Sequence, residues 1–308
     1  MKIIFFGTSQ FAVPVLQALA KDADFNIKAV VSETDKPAGR KMILQKPPIK
    51  IISEKENFKI FQPNNLKDDN FKNAIKKISP DVCVVASYGK MIPNELLKIP
   101  KFGFLNVHPS LLPKYRGASP IQSAILSGGK ETGVTIIVLD KKMDHGPIIA
   151  QEKYKISPTD DYLALEQKLA EFGAKLLVSS IKKYAAGKIK PYPQDEKKAT
   201  YTKRFSREDG KIDFEKSAED IEGMTRAFSP WPSAWTEIKN IGRIKITKAS
   251  VIKDEEKNLN AGQFFEYNKK PAVKCGENAL IIEKLIPEGK KEMSGEEFLR
   301  GAGKSLCK

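Results

Sequence analysis

The sequence predicts an α/β protein with a doubly wound, mostly parallel sheet, followed by a small β-barrel. The first observation is that apolar, strand-like runs alternate with helix-periodic segments over residues 1–188, which is typical of a mostly parallel sheet. The second is a series of short strand-like runs with turn residues between them over residues 206–308, which is typical of a small barrel. The composition, 41% hydrophobic and 30% charged residues, is that of an ordinary folded protein.

The chain opens with a buried-strand pattern at residues 2–6, and Gly7 turns it into a helix-periodic segment with Ser9 as the expected N-cap. A lone glycine does not make the pattern G-x-G-x-x-G, so a dinucleotide site is disfavoured. The same alternation continues along the first domain. We predict further strands at residues 27–32, 59–61, 81–86, 103–108 and 135–139, and helices at residues 11–19, 49–55, 68–78, 120–126 and 160–186.

A stretch rich in proline and charge follows the long helix, which Gly187 closes. Because this stretch has no periodicity, we predict a first domain at 1–188, a linker at 189–205 and a C-terminal β-barrel at 206–308. In this last part we predict strands at residues 234–238, 243–252, 262–267, 272–275 and 279–285, and helices at residues 218–228 and 295–300.

One strand of the first domain ends in side chains that can carry chemistry. Asn106 and His108 are two residues apart, so they project from the same face of the strand. Asp144 follows the next predicted strand, so the sheet edge can bring its carboxylate beside the imidazole. An amide donor, an imidazole and a carboxylate are the groups that direct attack of an amine on an acyl carbon requires. A histidine that merely completes an ordinary turn is the alternative.

Several other chemistries are disfavoured. Ser110 precedes Leu-Leu-Pro instead of standing within G-x-S-x-G, so direct transfer is favoured over a covalent acyl-enzyme. The chain has two histidines and three cysteines without a C-x-x-C pair, so no metal is expected. The N-terminal apolar run is too short for a signal peptide, and no run approaches the roughly 18 apolar residues of a membrane helix. We therefore expect a cytoplasmic protein with no membrane partner.

The formal net charge of +15 favours a polyanionic partner, since lysine and arginine gain affinity for phosphates by releasing counterions. A general lysine bias is an equally good explanation of the charge alone. The long loop at residues 34–50 carries five basic residues against one acidic residue. It could contact a phosphate backbone, or it could be an ordinary solvated loop.

The run N-V-H-P-S-L-L-P-K-Y-R-G at residues 106–117, with M-D-H-G-P at residues 143–147, resembles the signature of formyltransferases that use 10-formyltetrahydrofolate. That signature has the form N-x-H-x-S-L-L-P with a downstream aspartate. The resemblance implies a Rossmann-like catalytic core without a metal. It also implies catalytic roles for Asn106, His108 and Asp144, and folate contacts for Ser110, Leu111, Leu112 and Pro113.

Within that group, the chain is similar to the methionyl-tRNA formyltransferases nearly from end to end. The similarity is carried by K-I-I-F-F-G-T, D-K-P-A-G-R, A-S-Y-G-K-M-I-P, A-S-P-I-Q and E-T-G-V-T-I, and in the second domain by K-I-D-F and R-A-F-S-P-W-P-S-A-W. It implies that the loop with Arg40 and Lys41 enters the tRNA acceptor arm, and that Arg204, Arg207 and an OB-like barrel add basic contacts. Met-Ile-Leu follows Lys41 and could form an apolar wedge.

The resemblance thus implies formyl transfer from 10-formyltetrahydrofolate to the amino group of methionyl initiator tRNA, in support of translation initiation. We expect a monomer. One alternative is an amino-sugar-nucleotide formyltransferase, which can also have a second domain of this length. The other is a non-catalytic RNA-binding protein with an inherited enzyme core, which the presence of all three catalytic residue types disfavours.

Overall fold

The chain divides into two compact units in a computed structural model that describes residues 1–39, 42–253, 259–304 and 306. The first unit comprises Met1–Pro120, Glu131–Lys155 and Glu166–Thr202, and the second comprises Ile121–Lys130, Ile156–Leu165 and Lys203–Lys308. Most of the stretch predicted as a linker, up to Thr202, therefore belongs to the first unit. The predicted domain limits 1–188, 189–205 and 206–308 stay a prediction.

A seven-stranded sheet with the order β10-β9-β7-β6-β1-β2-β5 forms the centre of the first unit. Neighbouring strands from β7 to β5 are parallel, while β9 is antiparallel to both β7 and β10. The predicted α/β class with a mostly parallel sheet is thus confirmed. The strands of this unit are β1 (Lys2–Gly7), β2 (Asn26–Val31), β3 (Lys36–Ala38), β4 (Ile43–Gln45), β5 (Ile60–Phe61), β6 (Val82–Ala86), β7 (Phe104–His108), β8 (Arg116–Gly117), β9 (Glu131–Val138), β10 (Ile148–Lys155) and β11 (Tyr201–Thr202).

Burial explains which strands the sequence pattern found. β1 and β6 are apolar and almost entirely buried, as expected for inner strands of a parallel sheet. The sequence interpretation missed β10, the edge strand that hydrogen-bonds with β9. Its last five residues read Gln-Glu-Lys-Tyr-Lys, and three of them are exposed, so neither an apolar run nor a clean alternation marks this strand. The two-residue strands β8 and β11 pair in parallel and are too short to leave a periodic pattern.

The predicted helices are all present, but the short helix α4 (Asn94–Leu97) was not predicted and one predicted cap is wrong. Helix α1 begins at Ala12 with Phe11 at the N-cap position, and the Ser9 hydroxyl instead donates to the Ser87 hydroxyl at 2.7 Å. None of the helices within the described ranges combines the length and the apolar character needed to cross a bilayer. The helices are α1 (Ala12–Lys21), α2 (Pro48–Lys55), α3 (Asp69–Ile78), α4 (Asn94–Leu97), α5 (Pro120–Leu126), α6 (Tyr162–Ala185), α7 (Ala218–Ala227) and α8 (Gly295–Arg300).

The second unit is built on an antiparallel sheet with the order β12-β13-β16-β15-β14, and β17 pairs with β16. Its core is apolar and includes Ile244, Ile246 and Leu280. Helix α8 begins with a capping box in which the Ser294 and Glu297 side chains each bond the other's backbone N–H. The strands are β12 (Ala234–Ile238), β13 (Gly242–Ile252), β14 (Phe264–Tyr267), β15 (Lys270–Lys274), β16 (Ala279–Pro287) and β17 (Met293–Ser294).

Two helical glycines allow a test of the packing. A Cβ at Gly173 of α6 would lie 2.9 Å from a methyl of Val107, whereas one at Gly223 of α7 would have 3.7 Å to its nearest atom. Alanine gains about 1 kcal/mol over glycine in a helix, but overpacking costs about 1–3 kcal/mol. We expect Gly223→Ala to raise and Gly173→Ala to lower the free energy of unfolding, as measured by urea denaturation. Equal effects would contradict this packing at α6.

Candidate active site

The three predicted catalytic side chains lie together at one edge of the first-unit sheet. Asn106 and His108 are on β7, and Asp144 lies in the turn between β9 and β10. The Asn106 Nδ2 atom is 3.4 Å from the Asp144 Oδ1 atom, and the His108 Nδ1 atom is 3.7 Å from the same oxygen. Asn106 and His108 thus project from the same face of β7, as their two-residue spacing predicts, and both face the Asp144 carboxylate.

The two oxygens of Asp144 have different surroundings. Oδ2 accepts a hydrogen bond from the backbone N–H of Gly117 at 2.8 Å, whereas Oδ1 is the oxygen that Asn106 and His108 face at longer distances. At 3.7 Å the Oδ1 atom and the imidazole Nδ1 atom are close neighbours without a direct hydrogen bond. One oxygen is thus anchored by the backbone, and the other can meet a reactant.

The imidazole of His108 is held in one orientation. Its side chain is 5% exposed, and its Nε2 atom lies 3.0 Å from the carbonyl oxygen of Tyr115. Because a carbonyl oxygen can only accept, Nε2 carries the proton and donates it. Nδ1, the nitrogen on the Asp144 side, is therefore the ring atom that can exchange a proton or contact a developing charge.

The predicted folate-contacting segment, Ser110 to Pro113, forms a tight turn after β7. The Ser110 hydroxyl donates to the carbonyl of Lys114 at 2.6 Å, and Ser110 and Leu112 are buried. Thr135 on β9 joins this turn to the sheet, since its hydroxyl donates to the Ser110 carbonyl at 2.6 Å and accepts from the Leu112 N–H at 3.1 Å. The Ser110 side chain therefore shapes the turn from inside, while Leu111 and Pro113 are only partly buried.

A buried cation that no sequence motif marks lies beside this site. Arg116 is 1% exposed and forms two hydrogen bonds with the Glu196 carboxylate, at 2.6 and 3.0 Å. Its Nε and Nη2 atoms also donate to the Gln194 side-chain oxygen. The guanidinium holds the pKa of the Glu196 carboxyl below its usual value. The only sequence signal for Arg116 was its place at the end of the signature run. No motif or spacing marked Gln194 or Glu196.

The second histidine serves a different contact. His145 Nδ1 lies beside the Asp140 carboxylate, and its Nε2 is 3.5 Å from Glu196 Oε1, so it faces surface carboxylates. Within the described ranges, no group of three or more His, Cys, Asp and Glu side chains could hold a metal ion.

The predicted tRNA-contacting residues are only partly described. Arg40 and Lys41 lie outside the described residues. Their neighbours form the hairpin β3–β4, in which Met42, Ile43 and Leu44 are 68%, 60% and 63% exposed. In the second unit, Arg204 and Arg207 are exposed, and the Arg207 carbonyl accepts from the Trp235 indole N–H at 3.0 Å.

Comparison with known proteins identifies the family. The family described as "Formyl transferase" matches residues 1–181, and "Formyl transferase, C-terminal domain" matches residues 204–303. The methionyl-tRNA formyltransferase of Caldicellulosiruptor saccharolyticus is 41% identical over 304 residues, which cover 98% of this chain and 97% of the relative. That of Thermodesulfovibrio yellowstonii is 42% identical over 299 residues, covering 97% and 95%. The chain belongs to the methionyl-tRNA formyltransferase family. It is therefore a formyltransferase.

Solved structures share the fold of this family at lower identity. An N-formyltransferase from Helicobacter canadensis, crystallised with folinic acid and dTDP-3-aminofucose, is 20% identical with a TM-score of 0.67 and covers 92% of this chain and 98% of its own. HypX from Aquifex aeolicus is 16% identical with a TM-score of 0.65, and this chain spans 50% of its length. At these identities the similarity establishes the fold alone.

Because of the Arg116–Glu196 pair, the stability of the first unit should vary with pH in the acidic range. A carboxyl whose folded pKa is lowered stabilises the fold above its unfolded pKa, and this contribution is lost as the pH falls through the folded pKa. Glu196 has such a lowered pKa, against an ordinary value of 4.5. We expect Glu196→Gln to lower the melting temperature near neutral pH and the difference from wild type to shrink below about pH 4.5. Thermal unfolding followed by circular dichroism checks this, and a pH-independent difference would contradict it.

Proposed function

We propose that this formyltransferase transfers the formyl group of 10-formyltetrahydrofolate to the amino group of methionyl initiator tRNA. The observation that carries the proposal is the near-complete overlap, at about 40% identity, with relatives named methionyl-tRNA formyltransferase. That overlap includes the second unit. HypX has been solved with tetrahydrofolic acid and the Helicobacter canadensis enzyme with folinic acid, which supports a folate-derived donor.

In the proposed reaction, the methionyl nitrogen attacks the formyl carbon, and a new C–N bond forms in a tetrahedral intermediate. The carbonyl oxygen gains negative charge, which the Asn106 amide and the His108 ring stabilise. The bond from the formyl carbon to the folate nitrogen then breaks. Asn106 suits this role because its 3.4 Å contact with Asp144 is long, so its amide can turn to a stronger acceptor.

Protons must leave the attacking amine and reach the departing folate nitrogen. Asp144 Oδ1 lies between Asn106 and His108 and is not anchored by the backbone, so this oxygen takes the amine's proton, directly or through one water. The proton is then returned to the folate nitrogen as the C–N bond breaks. The His108 ring can donate to the oxyanion only when Nδ1 carries a proton, because Nε2 already donates to the Tyr115 carbonyl.

The tRNA is proposed to meet the β3–β4 hairpin and the exposed arginines of the second unit. Three large apolar side chains, Met42, Ile43 and Leu44, are exposed at the β3–β4 hairpin. Lys36 lies on the hairpin and Lys46 follows it directly. Apolar side chains can form a wedge against an opened base pair, while cations beside them contact the phosphates. Arg40, Lys41, Arg204 and Arg207 are the proposed phosphate contacts.

Asn106→Ala tests the oxyanion role. Loss of one oxyanion donor typically lowers kcat on the order of a hundredfold or more, while binding of the folate should persist because Asn106 is not among the proposed folate contacts. Initial rates of formylation of methionyl initiator tRNA and calorimetric titration with the folate measure the two quantities. The exposed helix residue Asn73 supplies the control Asn73→Ala. Turnover near the wild-type rate in Asn106→Ala would refute the assignment.

Arg40→Ala tests the loop. If this guanidinium contacts a phosphate, its loss weakens tRNA binding and lowers the slope of log affinity against log salt by about one, with little change in the catalytic step at saturating tRNA. Lys76 is exposed on α3, so Lys76→Ala removes one charge elsewhere as the control. Wild-type affinity and salt slope in Arg40→Ala would contradict a contact by the loop.

The second candidate is an amino-sugar-nucleotide formyltransferase, because the Helicobacter canadensis fold relative was crystallised with a dTDP-amino sugar. The two candidates differ in the nucleophile, a methionyl amine on RNA or a sugar amine on a nucleotide. A formyl-transfer assay with both acceptors at equal concentration separates them. Exclusive use of the amino sugar would refute the proposed function.

A further inference from the structure

The segment between the two matched regions reaches into the candidate active site. The family matches end at residue 181 and resume at residue 204, and Gln194 lies between them. Within the first unit, its side-chain NH2 group donates to the carbonyl oxygen of Asp144 at 2.8 Å and to that of Gly146 at 2.8 Å. A residue outside both matched regions thus bonds the backbone on either side of His145.

The Gln194 amide is fully satisfied, and its orientation is unambiguous. Its oxygen accepts from Arg116 Nη2 at 2.7 Å and from Arg116 Nε at 3.1 Å. A guanidinium can only donate and a carbonyl oxygen can only accept, so the oxygen must face Arg116 and the nitrogen must face the turn. Flipping the amide would break all four hydrogen bonds, which fixes this side chain in one pose.

Arg116 is in turn held in place by groups that balance its charge. Its guanidinium bonds both oxygens of Glu196 and contacts the Tyr201 hydroxyl at 3.3 Å. A bidentate carboxylate contact fixes the plane of a guanidinium as well as its charge. The bridge from Glu196 through Arg116 to Gln194 is therefore a rigid support for the turn that carries Asp144.

The dipeptide Arg116–Gly117 holds Asp144 from two sides. The Gly117 N–H donates to the carboxylate, while the Arg116 side chain acts through Gln194 on the carbonyl of the same residue. This hold matters because Asp144 has a φ of 49°, in the left-handed region that residues with a Cβ adopt infrequently, although aspartate tolerates it better than most. The hydrogen bonds from Gly117 and Gln194 hold the turn in this conformation, which keeps the carboxylate beside His108.

We propose that Gln194 is a positioning residue for formyl transfer, which it serves by holding the backbone of Asp144 in its left-handed conformation. The inference rests on the proposed function only in that formyl transfer is the readout. Gln194 does not touch the reacting atoms. Its effect is exerted through Asp144, so it should act on the rate of the chemical step more than on substrate binding.

Two variants of Gln194 separate the effect of its hydrogen bonds from the effect of its size. Gln194→Met keeps the length but removes all four hydrogen bonds, and Gln194→Glu keeps the oxygen that Arg116 needs but cannot donate to the two carbonyls. We expect both to lower kcat on the order of tenfold or more, with KM for the folate and for tRNA within about twofold of wild type. Gln167 is exposed on α6 and contacts Glu171, so Gln167→Met is the matched control.

Hydrogen–deuterium exchange supplies a readout that does not depend on activity. Peptides that cover residues 140–147 should exchange faster in both Gln194 variants and at the wild-type rate in Gln167→Met, while peptides of the second unit exchange at the wild-type rate in all three. Wild-type kcat in Gln194→Glu, or unchanged exchange over residues 140–147, would overturn the positioning role. Absence of formylation by the wild-type chain would instead refute the proposed function, and the exchange result would still decide whether Gln194 holds the turn.

Discussion

The hydrogen bond from the Gly117 N–H to the Asp144 carboxylate is the interaction on which the rest of the site depends. It joins the signature run after β7 to the turn after β9, and it leaves only one carboxylate oxygen to face Asn106 and His108. Oδ2 accepts the 2.8 Å bond from the backbone, whereas Oδ1 accepts only the longer 3.4 Å bond from the Asn106 amide. Oδ2 thus fixes the carboxylate in place, and Oδ1 is the oxygen left to face a reactant.

Short strands make that bond possible. β8 consists of only Arg116 and Gly117 and pairs in parallel with β11, and a Cβ on Gly117 would lie 2.6 Å from the carbonyl of Thr202. Gly117 also has a φ of 114°, which favours glycine. Close backbone approach at this one position thus brings residues 201–202 against the signature run, and with them the segment that carries Gln194 and Glu196.

Sequence patterns predicted the site residues that follow a periodic spacing along a strand. They missed the residues that reach the site through single long-range contacts. Two-residue spacing on one strand placed Asn106 and His108 on one face, and Asp144 was located by its position after the next strand and by resemblance. Arg116, Gln194 and Glu196 meet across about eighty residues of chain through single side-chain contacts, which create no periodicity. A charged residue followed by glycine, or a glutamine in a proline-rich stretch, is typical of exposed loops, so burial of Arg116 was not predictable from local sequence.

The groups that can act on the formyl carbon are different from the residues that can recognise the amine acceptor. An amide, an imidazole and a carboxylate on one sheet edge can stabilise the oxyanion and move the proton for any primary amine, because they act on the formyl carbon and its neighbours. Discrimination must come from binding energy at a distance from that carbon. The exposed apolar hairpin around Ile43 and the positive charge of the chain suit a large anionic acceptor far better than a small sugar nucleotide. We therefore propose that residues outside the signature select the amine that is formylated, while the signature residues carry out the transfer.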